Sequence, residues 1–446
     1  MDDGARKPLH SRLVTATTAL ALVALAGCGH SGQQATPEGN VPVLGAQAQS
    51  PKAAQTLGFP GFATKNTTRV GGADPFADAA AVSEAVYVSA SPTTHPQVVT
   101  LANGSSWQGA LAAAVFMSSP LRAPELLTQG DSMPAASSDA LSTLAPTGSS
   151  AADGAQVIRV GSKAGTGSLR TLEVGGGDPY TLAAAIDRLQ IAASGSPSSA
   201  VVVVAADQPA YAMPAASWAA KSGDPILYVA RDSVPSATVA ALRAHQHPAI
   251  YILGPPSVVS PRVAGTLRTL GTVKRIDGAN PVANAIAFAR YTDGSFGWGV
   301  TDPGHGLVFV NAARPADAAA AAPLSSSGDY GPMLVTDSAT RLPAALRGYL
   351  LDIQPGYDKD PARGFYNHGW LIGDEHAISL AEQATIDSLL EISPVSTAPA
   401  APNPPPAPTG PTGPSAPVAP RSTSARPRSG ASVRHRTTAA AGARRP

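Results

Sequence analysis

The sequence predicts an α/β protein of three tandem modules, each a parallel sheet covered by helices, set between two segments that build no core. Three observations predict it. A set of landmarks recurs three times in fixed order, about 100 residues apart. Within each copy, short apolar runs alternate with Ala-rich stretches of helical period, the pattern of a buried parallel sheet under helices. Outside the copies, the composition shifts to Gly, Gln, Pro and Ser, which cannot bury enough apolar surface to fold.

The first landmark is Arg69-Val70-Gly71-Gly72-Ala73-Asp74-Pro75-Phe76. It returns as Glu173-Val174-Gly175-Gly176-Gly177-Asp178-Pro179-Tyr180 and as Arg275-Ile276-Asp277-Gly278-Ala279-Asn280-Pro281-Val282. Ala-rich helical runs follow over Ala79–Val88, Ala183–Ala193 and Ala283–Arg290. Strand-like runs come next, Val98–Leu101, Val201–Val204 and Leu307–Val310, each with an Ala-rich helix after it. Then stand Pro124–Leu127, Pro225–Tyr228 and Pro332–Val335, and helices that begin near Pro134, Pro235 and Pro343, where a fixed φ and a missing N–H cost nothing. A strand ending in glycine closes each copy, at Gly161, Gly254 and Gly373. The expected organisation is repeat units at 67–170, 171–272 and 273–395, each large enough for a small core of its own.

The ends read differently. Arg6, Lys7, His10 and Arg12 precede an apolar run, Leu13–Ala26, that is too short to span a bilayer, which needs roughly 20 residues. Residues 1–27 are therefore expected to be a secretory signal. The run ends in Leu25-Ala26-Gly27-Cys28, which resembles the lipobox of bacterial lipoproteins. That resemblance implies that Cys28, the one cysteine of the chain, is acylated and becomes the first residue after cleavage. Residues 28–66 read as a flexible tether. Residues 396–420 are Pro-rich, and 421–446 hold seven arginines and no acid, together an unfolded tail.

The landmarks resemble the cell wall binding repeat 2 family, and the resemblance covers residues 69 to about 395. It implies flavodoxin-like or Rossmann-like modules packed as an intramolecular pseudo-trimer, and noncovalent attachment to an anionic cell wall polymer, a polysaccharide or a teichoic-type polymer. Together with the lipobox resemblance, it implies a lipid-anchored position on the extracytoplasmic face of the membrane, in contact with the wall. Asp74, Asp178 and Asn280 are the motif positions that would bind. The chain departs from the family where Pro75, Pro179 and Pro281 replace an arginine, which removes three cations. An envelope scaffold or sensor using the fold for protein contacts is the alternative.

Catalytic, metal and cofactor sites are not expected. The Gly-Gly-x-Asp turns lack the Gly-x-Gly-x-x-Gly spacing of a dinucleotide loop, so Asp74, Asp178 and Asn280 also read as helix N-caps. His245-Gln246-His247 offers two imidazoles without a nearby acidic or cysteine cluster, too few for zinc. Asp358-Lys359-Asp360 lacks the remaining ligands of a calcium loop. No Gly-x-Ser-x-Gly elbow occurs, and acids and histidines are scattered rather than paired. A net charge of +1 gives no global pull toward nucleic acid.

Overall fold

The computed structural model describes residues 62–326 and 331–395. Cys28, the expected signal at 1–27, the tether up to residue 61 and the tail at 396–446 lie outside the described residues. The described chain opens with β1 (Phe62–Ala63), antiparallel to β2 (Thr67–Val70). Paired backbone thus begins a few residues inside the stretch expected as tether.

The first repeat continues through α1 (Pro75–Val86), β3 (Val99–Asn103), α2 (Trp107–Ala113), β4 (Glu125–Thr128), α3 (Ala135–Leu144) and β5 (Val157–Val160). The second runs through β6 (Thr171–Val174), α4 (Pro179–Ser194), β7 (Ala200–Ala205), α5 (Pro209–Ser222), β8 (Ile226–Val229), α6 (Ser236–Ala244), β9 (Ala249–Leu253) and α7 (Pro261–Leu267). The third holds β10 (Thr272–Ile276), α8 (Pro281–Arg290), β11 (Gly306–Asn311), α9 (Ala316–Ala321), α10 (Pro323–Ser326), β12 (Met333–Thr336) and α11 (Ala344–Asp352). It ends with β13 (Gly356–Tyr357), β14 (His368–Ile372), α12 (Leu380–Leu390) and β15 (Ser393–Pro394). Each repeat contributes to a parallel sheet whose central strand, β3, β7 or β11, is buried almost throughout.

The opening strand of each repeat joins the sheet of another repeat. β6 pairs with β5, from Val157↔Thr171 to Val160↔Val174. β10 pairs with β9 in the same way. β2, at the head of the first repeat, pairs with β14 of the third, from Gly369↔Thr67 to Ile372↔Val70. The helix after each exchanged strand packs on the next sheet: α1 against α3 and β4, α4 against α6 and β8, α8 against β12 and α11. Three sheets are therefore linked in a closed ring, and each module is offset by one strand from the repeat that names it. The first module runs from α1 to β6, the second from α4 to β10, and the third from α8 onward with β2 added.

The turn between exchanged strand and helix explains the Gly-Gly-x-Asp-Pro motif. Gly71 has φ +116°, and a Cβ there would strike the Asp78 carboxylate. Pro75, Pro179 and Pro281 occupy the first helical position, where no N–H is needed. The helices accordingly start two to four residues earlier than the Ala-rich runs suggest.

The Ala-rich helices α2, α5 and α9 meet at the centre, each touching the other two. Gly109–Ala113, Ala212–Ala220 and Ala316–Ala321 are buried on all sides. Three helices around one axis leave little room for side chains, so small residues replace the usual amphipathic stripe.

An arginine, buried at Arg69 and half-buried at Arg275, staples two of the exchanged strands. Arg69 on β2 donates to the carbonyls of Gly373, Asp374 and Ile378 at 2.9, 2.7 and 2.6 Å, and to Gln383 Oε1. Arg275 on β10 donates to Gly254 and Val259 at 2.5 and 2.8 Å, the matching carbonyls of the second module. On β6 the position is Glu173, which instead accepts from Arg159 of the neighbouring β5. The staple is conserved in geometry between Arg69 and Arg275 and inverted in polarity at Glu173.

Candidate functional site

Asp74, Asp178 and Asn280 cap α1, α4 and α8. Asp74 accepts from the Phe76 and Ala77 amides at 3.0 and 2.9 Å, and Asp178 from Tyr180 and Thr181 at 2.8 and 2.9 Å. Asn280 accepts from Ala283 at 2.9 Å. Each side chain is exposed, and each sits in a different module. The fold does not bring the three together.

The most elaborate polar site lies where the third module meets the first. Arg314, in the loop after β11, reaches three carboxylates. Its Nη2 lies 2.9 Å from Asp78 Oδ2 on α1, and its Nε 2.5 Å from Asp317 Oδ2 on α9. Its Nη1 is only 3.8 Å from Asp374 and 3.3 Å from the Ala73 carbonyl, so this edge of the fork is loosely held. His376 donates from Nδ1 to the other Asp374 oxygen at 2.9 Å. Asp78 and Asp317 are both fully buried and hydrogen-bond to each other. Burial, and then the Asp317 charge, push the Asp78 carboxyl well above its ordinary range. Burial, opposed by Arg314, lifts Asp317 to about 6. Two carboxyls this close share a proton at neutral pH.

A crevice of about 250 Å³ opens beside this cluster, between Pro75, Ser105 and Trp107 of the first module and Arg314 and Asp317 of the third. It lies past the carboxyl ends of β3 and β11, where open α/β sheets place ligands. The loosely held Nη1 of Arg314 beside an indole can hold one polar or anionic group. The surrounding acids leave little net positive charge for a string of them.

The other two junctions carry different residues at the equivalent places. Counting from the N-caps, Asp78 corresponds to Leu182 and Asn284. Counting from the central strands, Asp317 corresponds to Gly109 and Tyr211. Leu182 lies so close to Gly109 that a Cβ on the glycine would come within 2.8 Å of it. Asn284 is buried with neither polar atom of its side chain hydrogen-bonded. The ionic cluster thus belongs to one junction of three.

Residues 173–264 match the profile of the cell wall binding domain 2 family. The matched segment starts on the exchanged strand β6 and stops in α7, so this cell wall binding domain 2 follows the sequence repeat rather than the module. Among solved structures the chain is similar to Cwp6 from Clostridium difficile, at 19% identity and a TM-score of 0.56, over 77% of this chain and 51% of that one. It is also similar to Cwp8 from Clostridium difficile, at 18% identity and a TM-score of 0.55, over 73% and 52%. The chain spans about half the length of either protein, and the likeness is one of fold. No curated protein matches.

Within the cell wall binding domain 2 segment the two adjacent histidines part company. His245 is buried, its Nδ1 2.8 Å from the Ser198 carbonyl and its Nε2 3.0 Å from both Asp187 oxygens. Burial opposes charging of His245, but the Asp187 hydrogen bond and charge outweigh it and raise its pKa. Gln246 and His247 form an exposed left-handed turn. Both His245 nitrogens are engaged, so the pair offers no metal site. Among the described residues, no group of three His, Cys, Asp or Glu could hold a metal ion, and no helix is long and apolar enough to cross a membrane.

Acids expected to be scattered are therefore clustered, at Asp78, Asp317 and Asp374 around Arg314. The sequence does not show the cluster, because it forms only when the ring closes. One signal was available: Asp317 is the one charge of the Ala-rich α9, and Asp78 stands beside a run of alanines in the first turn of α1.

Proposed function

We propose that this protein is a lipid-anchored envelope protein that binds an anionic cell wall polymer, polysaccharide or teichoic-type, without catalysis. The observation that carries the reading is the cell wall binding domain 2 match at 173–264, on a chain where the same layout recurs three times in a closed ring. Cys28 holds the chain at the membrane, and the modules engage the wall, so the protein links the two layers. Asp74, Asp178 and Asn280 contribute by fixing the helix starts that shape the module junctions. The test is retention of the lipid-free protein by purified walls, with and without their extracted secondary polymer. Retention that disappears with the polymer supports the reading, and no retention at low salt removes it. Cys28→Ala tests the anchor, since the variant should leave the membrane fraction.

One observation favours the scaffold alternative. Phe365 and Tyr366, in the stretch that lengthens the third repeat, are 72% and 53% exposed. Exposed aromatics side by side suit a protein partner. Crosslinking to one discrete protein, lost in a Phe365→Ser and Tyr366→Ser variant, would decide for it.

A further inference from the structure

Charge is distributed unequally among the three modules. Residues 179–276, the second module, hold eight Lys and Arg against four Asp and Glu. Residues 75–174 hold four against seven, and residues 281–395 together with 67–70 of β2 hold seven against thirteen. A near-neutral chain thus conceals one basic module between two acidic ones.

In the second module, Arg231, Arg262 and Arg275 gather around one loop, Gly254–Ser260, past the carboxyl end of β9, and Arg268 flanks Arg275 from the far end of α7. Arg231 donates from Nε to the Ser257 carbonyl at 3.0 Å, while its own carbonyl accepts from Ser260. Arg275 reaches the same loop from the other side, at Gly254 and Val259. Arg262 follows the loop on α7, and Arg268 at the end of α7 is near enough to depress the Arg275 pKa, after burial. Arg231, Arg262 and Arg268 are exposed. Two acids bear on this rim: Asp232, 3.4 Å from Arg231, and Asp277 near Arg275.

The third module provides the control, because the same staple stands there in opposite surroundings. Arg69 replaces Arg275, and the carboxylates that act on it are Asp374, Glu375, Asp78 and Glu382. Counting from the glycines, Pro255 and Pro256 correspond to Asp374 and Glu375. Counting from the N-caps Ser260 and Ser379, Arg262 corresponds to Ala381 and Arg268 to Asp387. In the first module the chain passes from Gly161 to β6 with no counterpart of α7.

We infer that the rim of Arg231, Arg262, Arg268 and Arg275 on the second module is the polyanion-binding surface of this protein. A chain of phosphate or carboxylate groups lies across it, and the acidic rim of the third module repels the same polymer. The inference rests on the envelope-binding reading and narrows it to one module of three. Three exposed cations grouped about the half-buried Arg275 give salt-sensitive attraction, and a polymer can meet several of them at once. Avidity then comes from repeats in the polymer rather than from three equal sites.

The experiment compares the lipid-free full chain with Arg262→Glu/Arg268→Glu, whose side chains support no hydrogen bond of the fold, and with Arg243→Glu, exposed at the opposite end of the same sheet. Two probes are used: purified walls and soluble teichoic acid, a polyol phosphate polymer. The inference expects the double variant to bind both probes about tenfold or more weakly, and Arg243→Glu to bind within about twofold of the parent. Parent and double variant retained equally by walls would overturn the rim while leaving wall binding intact. A parent that walls do not retain would overturn the envelope reading. The teichoic acid arm then decides the rim by itself: loss in the double variant upholds it, and equal or absent binding overturns it.

Discussion

The guanidinium of Arg314 lies 2.9 Å from the carboxylate of Asp78, a residue 236 positions earlier in the chain. The contact closes the ring at the one junction the backbone leaves weakest. β6 and β10 are joined to their sheets by the chain as well as by pairing. β2 reaches its sheet by pairing alone. Among the described residues only that junction carries a buried ionic cluster; the equivalent places hold leucine against glycine at the first junction and Asn284 and Tyr211 at the second.

Replacing Arg314 with methionine should therefore weaken the ring. Two buried carboxyls lose their counter-ion, a change that costs about 3–5 kcal/mol when no relaxation intervenes. Urea unfolding of Arg314→Met should show the loss. Adding Asp78→Leu and Asp317→Ala, which imitates the apolar first junction, should restore most of it. An unchanged midpoint in the single variant would show that the cluster does not hold the ring.

Stability should rise as pH falls from about 8 to about 5. Asp78 is held well above its ordinary value, and Asp317 and Glu382 are lifted to about 6, in each case by burial first. Carboxyls raised in the fold contribute stability that is complete below their unfolded range and lost as pH rises through the folded value. His245, also raised, has the same sign, with its share lost above its ordinary range. Asp374 is lowered, chiefly by His376 acting against burial, and its share is lost only in stronger acid. Calorimetric midpoints across this interval test the sign. A midpoint that is flat or falls toward pH 5 contradicts it.

Glu125 is an acid placed where its counterparts are Ile226 and Met333. It is fully buried, neither carboxyl oxygen has a partner, and burial raises its pKa well above the ordinary carboxyl range. Thr100, its cross-strand neighbour, also has an unsatisfied hydroxyl. Glu125→Met should stabilise the fold by about 1–3 kcal/mol at neutral pH. The gain should shrink toward pH 4.5, where the unfolded chain also protonates its glutamates. A lower melting temperature in the variant would assign Glu125 a partner.

The repeats made much of this legible. The central strands, the Pro-started helices and the caps follow from period and composition, which act locally. Strand exchange was not legible, because Thr67-Thr68-Arg69-Val70 is short and has three polar residues of four, and nothing in it says which sheet it joins. The Asp78–Arg314 contact was hidden for the same reason. Asp187 and His245 looked like unrelated residues, since 58 positions separate them. The Ala-rich runs marked helices correctly, but their uniformity reflects three helices meeting at the centre, which no single repeat encodes.

Arg69 offers the sharpest separation between pairing and covalent linkage. Its guanidinium binds three carbonyls and Gln383 across the closing junction. Removing it leaves those buried acceptors without their donor and β2 with four ladder residues to hold it. Arg275 has the same geometry in the second module, but β10 stays attached to its sheet through the chain when its arginine is lost. Hydrogen exchange should therefore show faster exchange in β2 and β14 for Arg69→Ala, with β7 and β9 still protected. Arg275→Ala should leave β10 largely protected, because loop closure keeps the strand near its partner at small entropic cost. Equal loss at the two positions would mean that the ring is held by its central helices alone, with exchange of the first strand contributing little.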